Sequence, residues 1–118
     1  MKDINKAKLA AKKRRQARVR AKIFGTEKLP RLRVSKSLKH VFLQLIDDCK
    51  GRTLTSAHSK QLAAKGKKTE ISFKTGELLA QKAMAAGIKR CVFDRGGHIY
   101  HGVIRQAAEG ARKAGLKF

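Results

Sequence analysis

The sequence is poor in aromatic residues and has no long apolar run. It contains no Trp, one Tyr and five Phe, whereas basic proteins that bind membrane surfaces usually carry large aromatic or leucine-rich faces. A membrane surface is therefore the weaker expectation for a partner. No apolar run approaches the roughly 18 residues that a membrane span needs, and no apolar core of a signal peptide follows the basic N-terminus. We expect the protein to remain in the cytoplasm, where it is made.

Cysteine is also scarce, which argues against a disulfide framework and a metal site. Cys49 and Cys91 are the only two cysteines, and one pair cannot define a disulfide scaffold. Structural zinc sites use closely spaced pairs of ligands. His98 and His101 have such spacing, but Cys91 lies in a predicted strand without a second cysteine beside it. We predict that the protein has no metal site and no cofactor.

Acidic residues are few, and the resulting charge indicates a polyanionic partner. Thirty Lys and Arg face eight Asp and Glu, which gives a formal net charge of +22 and a predicted pI of about 11.0. Like charges at this density repel one another in the compact state, so a partner that neutralises them is expected. Nucleic acid is the leading candidate. The length of 118 residues fits one domain.

Three carboxylates raise the alternative of a nuclease. Asp47 and Asp48 end one predicted strand and Asp94 ends another, and carboxylates at neighbouring strand ends could hold magnesium for phosphodiester hydrolysis. However, Asp48 suits a turn, and Asp94 beside Arg95 suits an ion pair or a helix cap. We predict no catalytic residues and no small-molecule substrate, and we keep a magnesium-dependent nuclease as the lesser alternative.

The first 28 residues carry dense positive charge and no wide apolar face. Eleven Lys or Arg stand against two acids, and alanines favour a helix from about residue 3 to 22. A segment with so little apolar surface cannot order itself by burial. It is either a disordered solubilising tail or an arm that folds along a phosphate backbone, and its charge density favours the arm. The cations concentrated in eleven positions are Lys12, Lys13, Arg14, Arg15, Arg18, Arg20 and Lys22.

The rest of the chain predicts an α/β domain, and Gly25 and Pro30 mark its beginning. We predict an arm over residues 1–28 and a domain over residues 29–118. The predicted elements are strands over 31–35, 40–48 and 52–59, a helix from 72 to about 86, a strand over 88–94 and a helix over 103–114. Short links make the first three strands an antiparallel meander. The crossover through the first helix makes the fourth strand parallel to a neighbour, so we expect a single small mixed sheet with two packed helices.

The first strand, RLRVS, alternates between apolar and polar residues. Leu32 and Val34 are expected on the core, and Arg31, Arg33 and Ser35 on an exposed basic face.

The segment FDRGGHIYHG, residues 93–102, combines glycines with cationic and aromatic side chains. Gly97 and Gly102 bracket four residues as in a phosphate-binding loop, but Val103 stands where that loop needs Lys. Glycines permit positive φ and close approach of a backbone, arginine offers a planar fork for phosphate oxygens, and rings can stack on bases. A plain structural turn remains the alternative. The candidate residues are Arg95, Gly96, Gly97, His98, Tyr100, His101 and Gly102.

Two long stretches resemble the bacterial large-subunit ribosomal protein L18 family. They are RLRVSKSLKHVFLQLIDDCKGRTLTSAHS and GIKRCVFDRGGHIYHGVIRQAAEGARKAGLKF, which together cover nearly all of residues 31–118. The resemblance implies a three-layer α/β domain with ribonuclease-H-like topology that lacks the catalytic carboxylates of those enzymes.

The resemblance also implies the function. The protein is expected to hold 5S rRNA in the central protuberance of the large ribosomal subunit, to bridge it to the large rRNA and to touch neighbouring ribosomal proteins. The RNA-contacting residues that it implies, besides the basic arm, are Arg31, Arg33, Ser35, Lys36, Ser37, Lys39, His40, Arg95, Gly96, Gly97, Tyr100, His101 and Gly102. From charge alone, a nucleoid-type or regulatory DNA-binding protein is the main alternative.

Overall fold

The computed structural model describes residues 2–37, 39–62, 66–95 and 100–118, without the side chains of residues 2–4 and 19–22. The chain forms three α-helices, four strands and a short 3-10 turn among these residues. In chain order they are α1 (Lys2–Lys22), β1 (Arg31–Lys36), β2 (Val41–Asp47), β3 (Arg52–His58), the 3-10 turn (Ser59–Leu62), α2 (Lys68–Ala85), β4 (Val92–Asp94) and α3 (Val103–Lys113).

The four strands form one mixed sheet in the order β3-β2-β1-β4. β1 pairs antiparallel with β2, and β2 pairs antiparallel with β3, so the predicted meander is confirmed. β4 follows the crossover through α2 and pairs in parallel with β1, also as predicted. The central position of β2 explains its near-continuous apolar sequence, because both of its edges and one of its faces are covered.

The hydrophobic core lies between one face of the sheet and the helices α2 and α3. Leu32 and Leu43 contribute from the strands, while Leu79 and Ile104 contribute from the helices, and each is at most 1% exposed. In the part of the chain that the structure describes, both packed helices lie on this one face. The described fold therefore has two layers, where the resemblance implies three.

Helices α2 and α3 approach closely because a glycine from each faces the backbone of the other. A Cβ on Gly76 would lie 2.9 Å from the amide nitrogen of Ala111, and one on Gly110 would lie 2.9 Å from the carbonyl carbon of Phe73. Both distances are too short for a real Cβ contact. The glycines thus set the spacing of the helix layer, and through it the position of the segment that enters α3.

Two predicted boundaries differ from the structure by several residues. Helix α2 begins at Lys68 and not at Ser72. Ser72 is fully buried, and its hydroxyl donates to the carbonyl oxygen of Val103 at 2.6 Å, so it joins the two helices and does not cap one. Strand β4 spans three residues and not 88–94, because the backbone before it pairs with the C-terminal segment: the Cys91 amide donates to the carbonyl oxygen of Lys117.

Helix α1 differs from the other helices because its described side chains form no buried apolar stripe. Its described side chains are exposed or half-exposed, including Leu9 at 53%. Positive charges surround the helix. Its helical form follows from the high helix propensity of its alanine and long-chain residues and not from packing. Among the described residues, no helix combines the length and apolarity needed to cross a membrane.

Candidate RNA-binding surface

The sheet face opposite the core is half-exposed and carries polar, cationic and aromatic side chains. We call this the open face, defined by Arg33, Ser35, Phe42, Gln44, Ser56 and His58. Strand alternation puts these residues opposite the buried leucines and valines of the same strands, and each is half-exposed. Strand pairing aligns Ser35 with Phe42 and Phe42 with His58, so one row crosses three strands. The next row aligns Arg33, Gln44 and Ser56.

The predicted exposure of Arg31 is wrong. Its side chain is only 6% exposed, and its guanidinium donates to both carboxylate oxygens of Asp48, at 3.0 and 3.1 Å, and to Asp94 at 2.6 Å. Burial opposes the charged form, but the hydrogen bonds and charges of Asp48 and Asp94 outweigh it and raise the pKa of Arg31. Arg31 therefore joins the strand ends inside the protein and does not present its charge to RNA.

Gly25 explains why the start of β1, at Arg31, is covered by the preceding segment. Its amide donates to Asp48 at 2.7 Å, and its carbonyl oxygen accepts from the Asp48 amide at 2.9 Å. A Cβ on Gly25 would lie 2.5 Å from the amide nitrogen of Arg31. The segment before β1 thus lies directly against the strand, which periodicity alone cannot reveal.

The three carboxylates that suggested a nuclease do not converge. Asp48 and Asp94 both accept hydrogen bonds from Arg31, so a cation already lies between them. Asp47 lies on the packed face, and its Oδ1 accepts from the amides of Cys49 and Lys50 in the turn after β2. Within residues 2–37, 39–62, 66–95 and 100–118, no group of three or more His, Cys, Asp or Glu is placed to hold a metal ion.

The turn between β1 and β2 presents several of the predicted contact residues. Ser37 and His40 close it through two hydrogen bonds: the Ser37 amide donates to the carbonyl oxygen of His40, and the His40 amide donates to Ser37 Oγ. Lys36, Ser37 and Lys39 are exposed, and His40 is half-buried. The turn therefore displays two lysines at one end of the open face.

Three rings lie together beside this turn. The ring of His58 lies 5.2 Å from that of His40 and 5.6 Å from that of Phe42, both tilted by about 45°. His40 Nδ1 lies 3.2 Å from Ser59 Oγ, which also accepts from the Val41 amide. Partial burial, and then the charges of neighbouring groups led by Lys60, lower the pKa of His40.

The segment FDRGGHIYHG is described only at its two ends. Arg95 is exposed and follows Asp94, whose partner across the sheet is Arg33. Gly96, Gly97 and His98 lie outside the described residues, so their predicted roles remain predictions. His101 is exposed. Gly102 has a φ of 57° immediately before α3, a conformation that glycine adopts without strain.

Tyr100 is held by two contacts, its hydroxyl with Arg112 and its ring with Phe93. Its hydroxyl accepts from Arg112 at 3.1 Å, and its ring lies edge-on to Phe93 at 5.7 Å, which leaves it 38% exposed. The same residue can therefore hold the segment in place and still present one ring edge to a partner.

The predicted cations of the arm lie on α1. The side chains of Lys12, Lys13, Arg14, Arg15 and Arg18 are exposed. The backbones of Arg20 and Lys22 belong to the same helix, and their side chains are outside the described part. Successive residues of a helix are about 100° apart, so the described cations from Lys12 to Arg18 point to all sides of α1.

Sequence reasoning missed Phe42 and His58 as candidate contact residues. The run VFLQLI leaves neither face clearly polar, so it predicts a central strand without distinguishing an exposed face. The available signal was the alternation of Leu43 and Leu45 with Gln44, which assigns Phe42 to the same face as Gln44.

Comparison with known proteins identifies the family of the chain. A family described as ribosomal L18 of archaea, bacteria, mitochondria and chloroplast matches residues 6–118. The chain is 51% identical over 114 residues to the large ribosomal subunit protein uL18 of Bacillus cytotoxicus, with 94% of this chain and 95% of that protein covered. It is 50% identical over 113 residues to the protein of the same name from Acetivibrio thermocellus, with 92% and 93% covered. From its match over nearly the whole length, the chain belongs to the ribosomal L18 family.

Proposed function

We propose that this protein is a structural component of the large ribosomal subunit that binds 5S rRNA and attaches it to the large rRNA in the central protuberance. The family supports the assignment to the large subunit, because the similar proteins are named as its components. The observation that carries RNA binding is the exposed, cation-covered helix α1 on a chain of net charge +22. We propose that in a bacterium it acts in the cytoplasm, within the ribosome and beside neighbouring ribosomal proteins.

Two surfaces support the proposal. Helix α1, within the predicted arm of residues 1–28, supplies phosphate contacts that depend on charge. The body, predicted over residues 29–118, supplies Arg33, the turn from Lys36 to His40, and the segment that begins at Arg95. Arg31 does not belong to this surface, because its guanidinium is already paired inside the protein.

A competition experiment tests the proposed partner. Labelled 5S rRNA bound to the full chain is challenged with unlabelled 5S rRNA, a DNA duplex of equal length and an unrelated folded RNA. We expect 5S rRNA to compete better than the duplex by orders of magnitude, since direct charge attraction alone does not distinguish sequences. Equal competition by the duplex would favour a DNA-binding protein. Magnesium-dependent cleavage of the RNA that is abolished in Asp94→Asn would establish the nuclease.

Deletion of residues 1–22 tests the role of α1. The body should stay folded, while affinity for 5S rRNA falls and its dependence on salt becomes shallower, by roughly 0.7–0.9 in the log–log slope for each phosphate that α1 neutralises. The double variant Lys67→Ala/Lys74→Ala, which removes exposed charge near and within α2, serves as the control and should leave most of the slope. An unchanged slope after the deletion would mean that α1 does not bind phosphate.

A further inference from the structure

The open face contains a groove that includes Phe42 and His58, for which the sequence suggested no role. Its lining comes from the turn after β1 and from the row of residues that crosses three strands, and it encloses about 270 Å³. This volume lies just below the roughly 300–1,000 Å³ typical of pockets for drug-sized ligands. There is room for one ring system. The lining residues are Ser35, Lys36, Ser37, His40, Phe42 and His58.

The groove has a ring on one strand beside a ring on the next. Phe42 on β2 and His58 on β3 are direct partners across the sheet, and their centroids are 5.6 Å apart. His40 extends the cluster on the other side of His58 at 5.2 Å. Sheets that bind single-stranded RNA present aromatic side chains from adjacent strands in this way, so that unpaired bases stack on them.

The two histidine rings are held in place by hydrogen bonds to neighbouring residues. His58 Nδ1 accepts from the amide of Lys60 at 3.1 Å, so the hydrogen of the neutral ring is on Nε2. His58 also donates its own amide to Gln61 at 3.0 Å, which ties the strand end to the 3-10 turn. His40 is held at Nδ1 by Ser59. A stacking site whose rings are already positioned loses little conformational freedom when it binds.

The rim of the groove carries the positive charge expected of a site that binds a nucleotide. Lys36 lines it, and the charges that act on His40 include those of Lys60, Lys39 and Lys68. Lys68 also donates to the carbonyl oxygen of Ser37 in the same turn. An apolar and aromatic floor with a cationic rim complements a flat, neutral base whose phosphates lie outside the groove.

We propose that the groove holds one unpaired base of the bound RNA, stacked on Phe42 and His58, with its flanking phosphates at the surrounding lysines. This inference deepens the proposed function and rests on it. It adds Phe42 and His58 to the RNA-binding surface. Their rings stack on a base and do not act through charge. Because stacking tolerates all four bases, the groove selects for an unstacked nucleotide at the right place in the RNA and not for a particular sequence.

The test compares single substitutions of the two rings in the full chain. Phe42→Leu and His58→Leu keep an apolar side chain of moderate size and remove the ring. Each should weaken binding of 5S rRNA by about 5- to 100-fold, the range that removal of one base–ring stack produces. The slope of affinity against salt should stay at the parent value, because every phosphate keeps its cationic partner. Phe73→Leu makes the same change on a half-buried phenylalanine of α2 and should bind as the parent does.

Two further measurements locate the base. Chemical probing of the bound RNA should show one nucleotide whose base is protected by the parent and exposed in both ring variants, with the rest of the protected region unchanged. Ultraviolet crosslinking of the parent complex should join that nucleotide to the peptide that contains Phe42 or His58. Circular dichroism and thermal unfolding of each variant confirm that the fold is retained.

The outcomes distinguish failure of the groove proposal from failure of the proposed function on which it rests. A parent protein that fails to bind 5S rRNA overturns the proposed function and the groove with it. A parent that binds, together with folded ring variants that bind within about twofold of it, overturns the groove alone. Crosslinks from Phe42 or His58 to a neighbouring ribosomal protein in the assembled subunit, and not to RNA, also overturn it and assign the groove to a protein partner.

Discussion

The two faces of the four-stranded sheet are made from alternate residues of the same strands, yet they do different things. On the packed face, Leu32, Val34, Leu43 and Leu45 are at most 1% exposed and lie under α2 and α3. On the open face, the alternate residues are half-exposed and include cations, hydroxyls and rings. The difference teaches that stability and recognition can be separated within a single strand, because successive side chains point to opposite sides.

Arg31 is the exception that limits this comparison. By alternation it belongs with Arg33 and Ser35, but it is buried and paired with Asp48 and Asp94. One end of the open face therefore contributes to stability, while the rest of that face remains available to a partner.

Arg31→Met should destabilise the protein by about 3–5 kcal/mol, the cost of removing one partner from a buried ion pair. Arg33→Met is the matched control on the same strand. It should change the unfolding free energy by less than about 0.5 kcal/mol and weaken RNA binding. Chemical denaturation and a binding titration distinguish the two arginines, and an equal drop in stability in both would remove the distinction.

Leu43→Ala and Gln44→Ala compare the two faces at adjacent positions of β2. Leu43 is fully buried, so its truncation should cost about 2–5 kcal/mol through reduced burial and the cavity left behind. Gln44 is half-exposed, and its truncation should cost less than about 0.5 kcal/mol. Urea denaturation measures both. Similar costs at the two positions would contradict the assignment of packed and open faces.

Gly110→Ala should lower the unfolding free energy by about 1–3 kcal/mol, because the new methyl group would collide with the backbone of Phe73. The sign is the informative result, since Gly→Ala in a helix interior otherwise stabilises by up to about 1 kcal/mol. Gln81→Ala at an exposed position of α2 is the control and should be nearly neutral. Stabilisation by Gly110→Ala would show that the helices can separate without cost.

The two cysteines should differ strongly in their reaction with a thiol reagent. Burial raises the pKa of Cys91 to about 12, so at about pH 8 only about one in 10,000 of its thiols is ionised. Cys49 is exposed in the turn after β2. The Cys49 thiol should react rapidly in the native protein and the Cys91 thiol only on unfolding. Absorbance follows the reaction, and peptide mass identifies the modified cysteine. Rapid modification of both would show that the layer over Cys91 opens readily.

His40 should give the smallest effect, a slight dependence of stability on pH. Its pKa in the folded protein is lower than the ordinary 6.5, through partial burial first and nearby positive charge second. The unfolded chain therefore binds the proton first, so stability is full above pH 6.5 and falls as the pH drops below it. In His40→Gln this decrement should be absent, which denaturation at about pH 5.5 and 7.5 would detect. An equal decrement in the variant would assign it to other groups.

Much of the fold followed from local patterns. The alternation of RLRVS predicted which residues of β1 face the core, and the short links predicted the antiparallel meander. The crossover through a helix predicted the parallel pairing of β4. These features depend on side-chain period and chain connectivity, which the order of residues contains.

Other features depended on contacts between distant segments. The burial of Arg31 arises from Gly25, Asp48 and Asp94, which come from three separate parts of the chain. Ser72 suits a helix cap by its type, but its hydroxyl is used 31 residues away at Val103. The ring groove likewise needs β2 and β3 in register before Phe42 and His58 become neighbours.

The order of residues was enough to establish the class of this protein: a small basic α/β fold with a cationic N-terminal segment, and membership of a ribosomal family. Composition, side-chain period and sequence motifs depend only on the order of residues, so they can be recognised without the folded structure. The tertiary structure alone decided which positive charges are available. Arg31 and Arg33 have the same type, strand and face, and only the carboxylates that the fold brings to Arg31 make one a structural ion pair and leave the other at the surface.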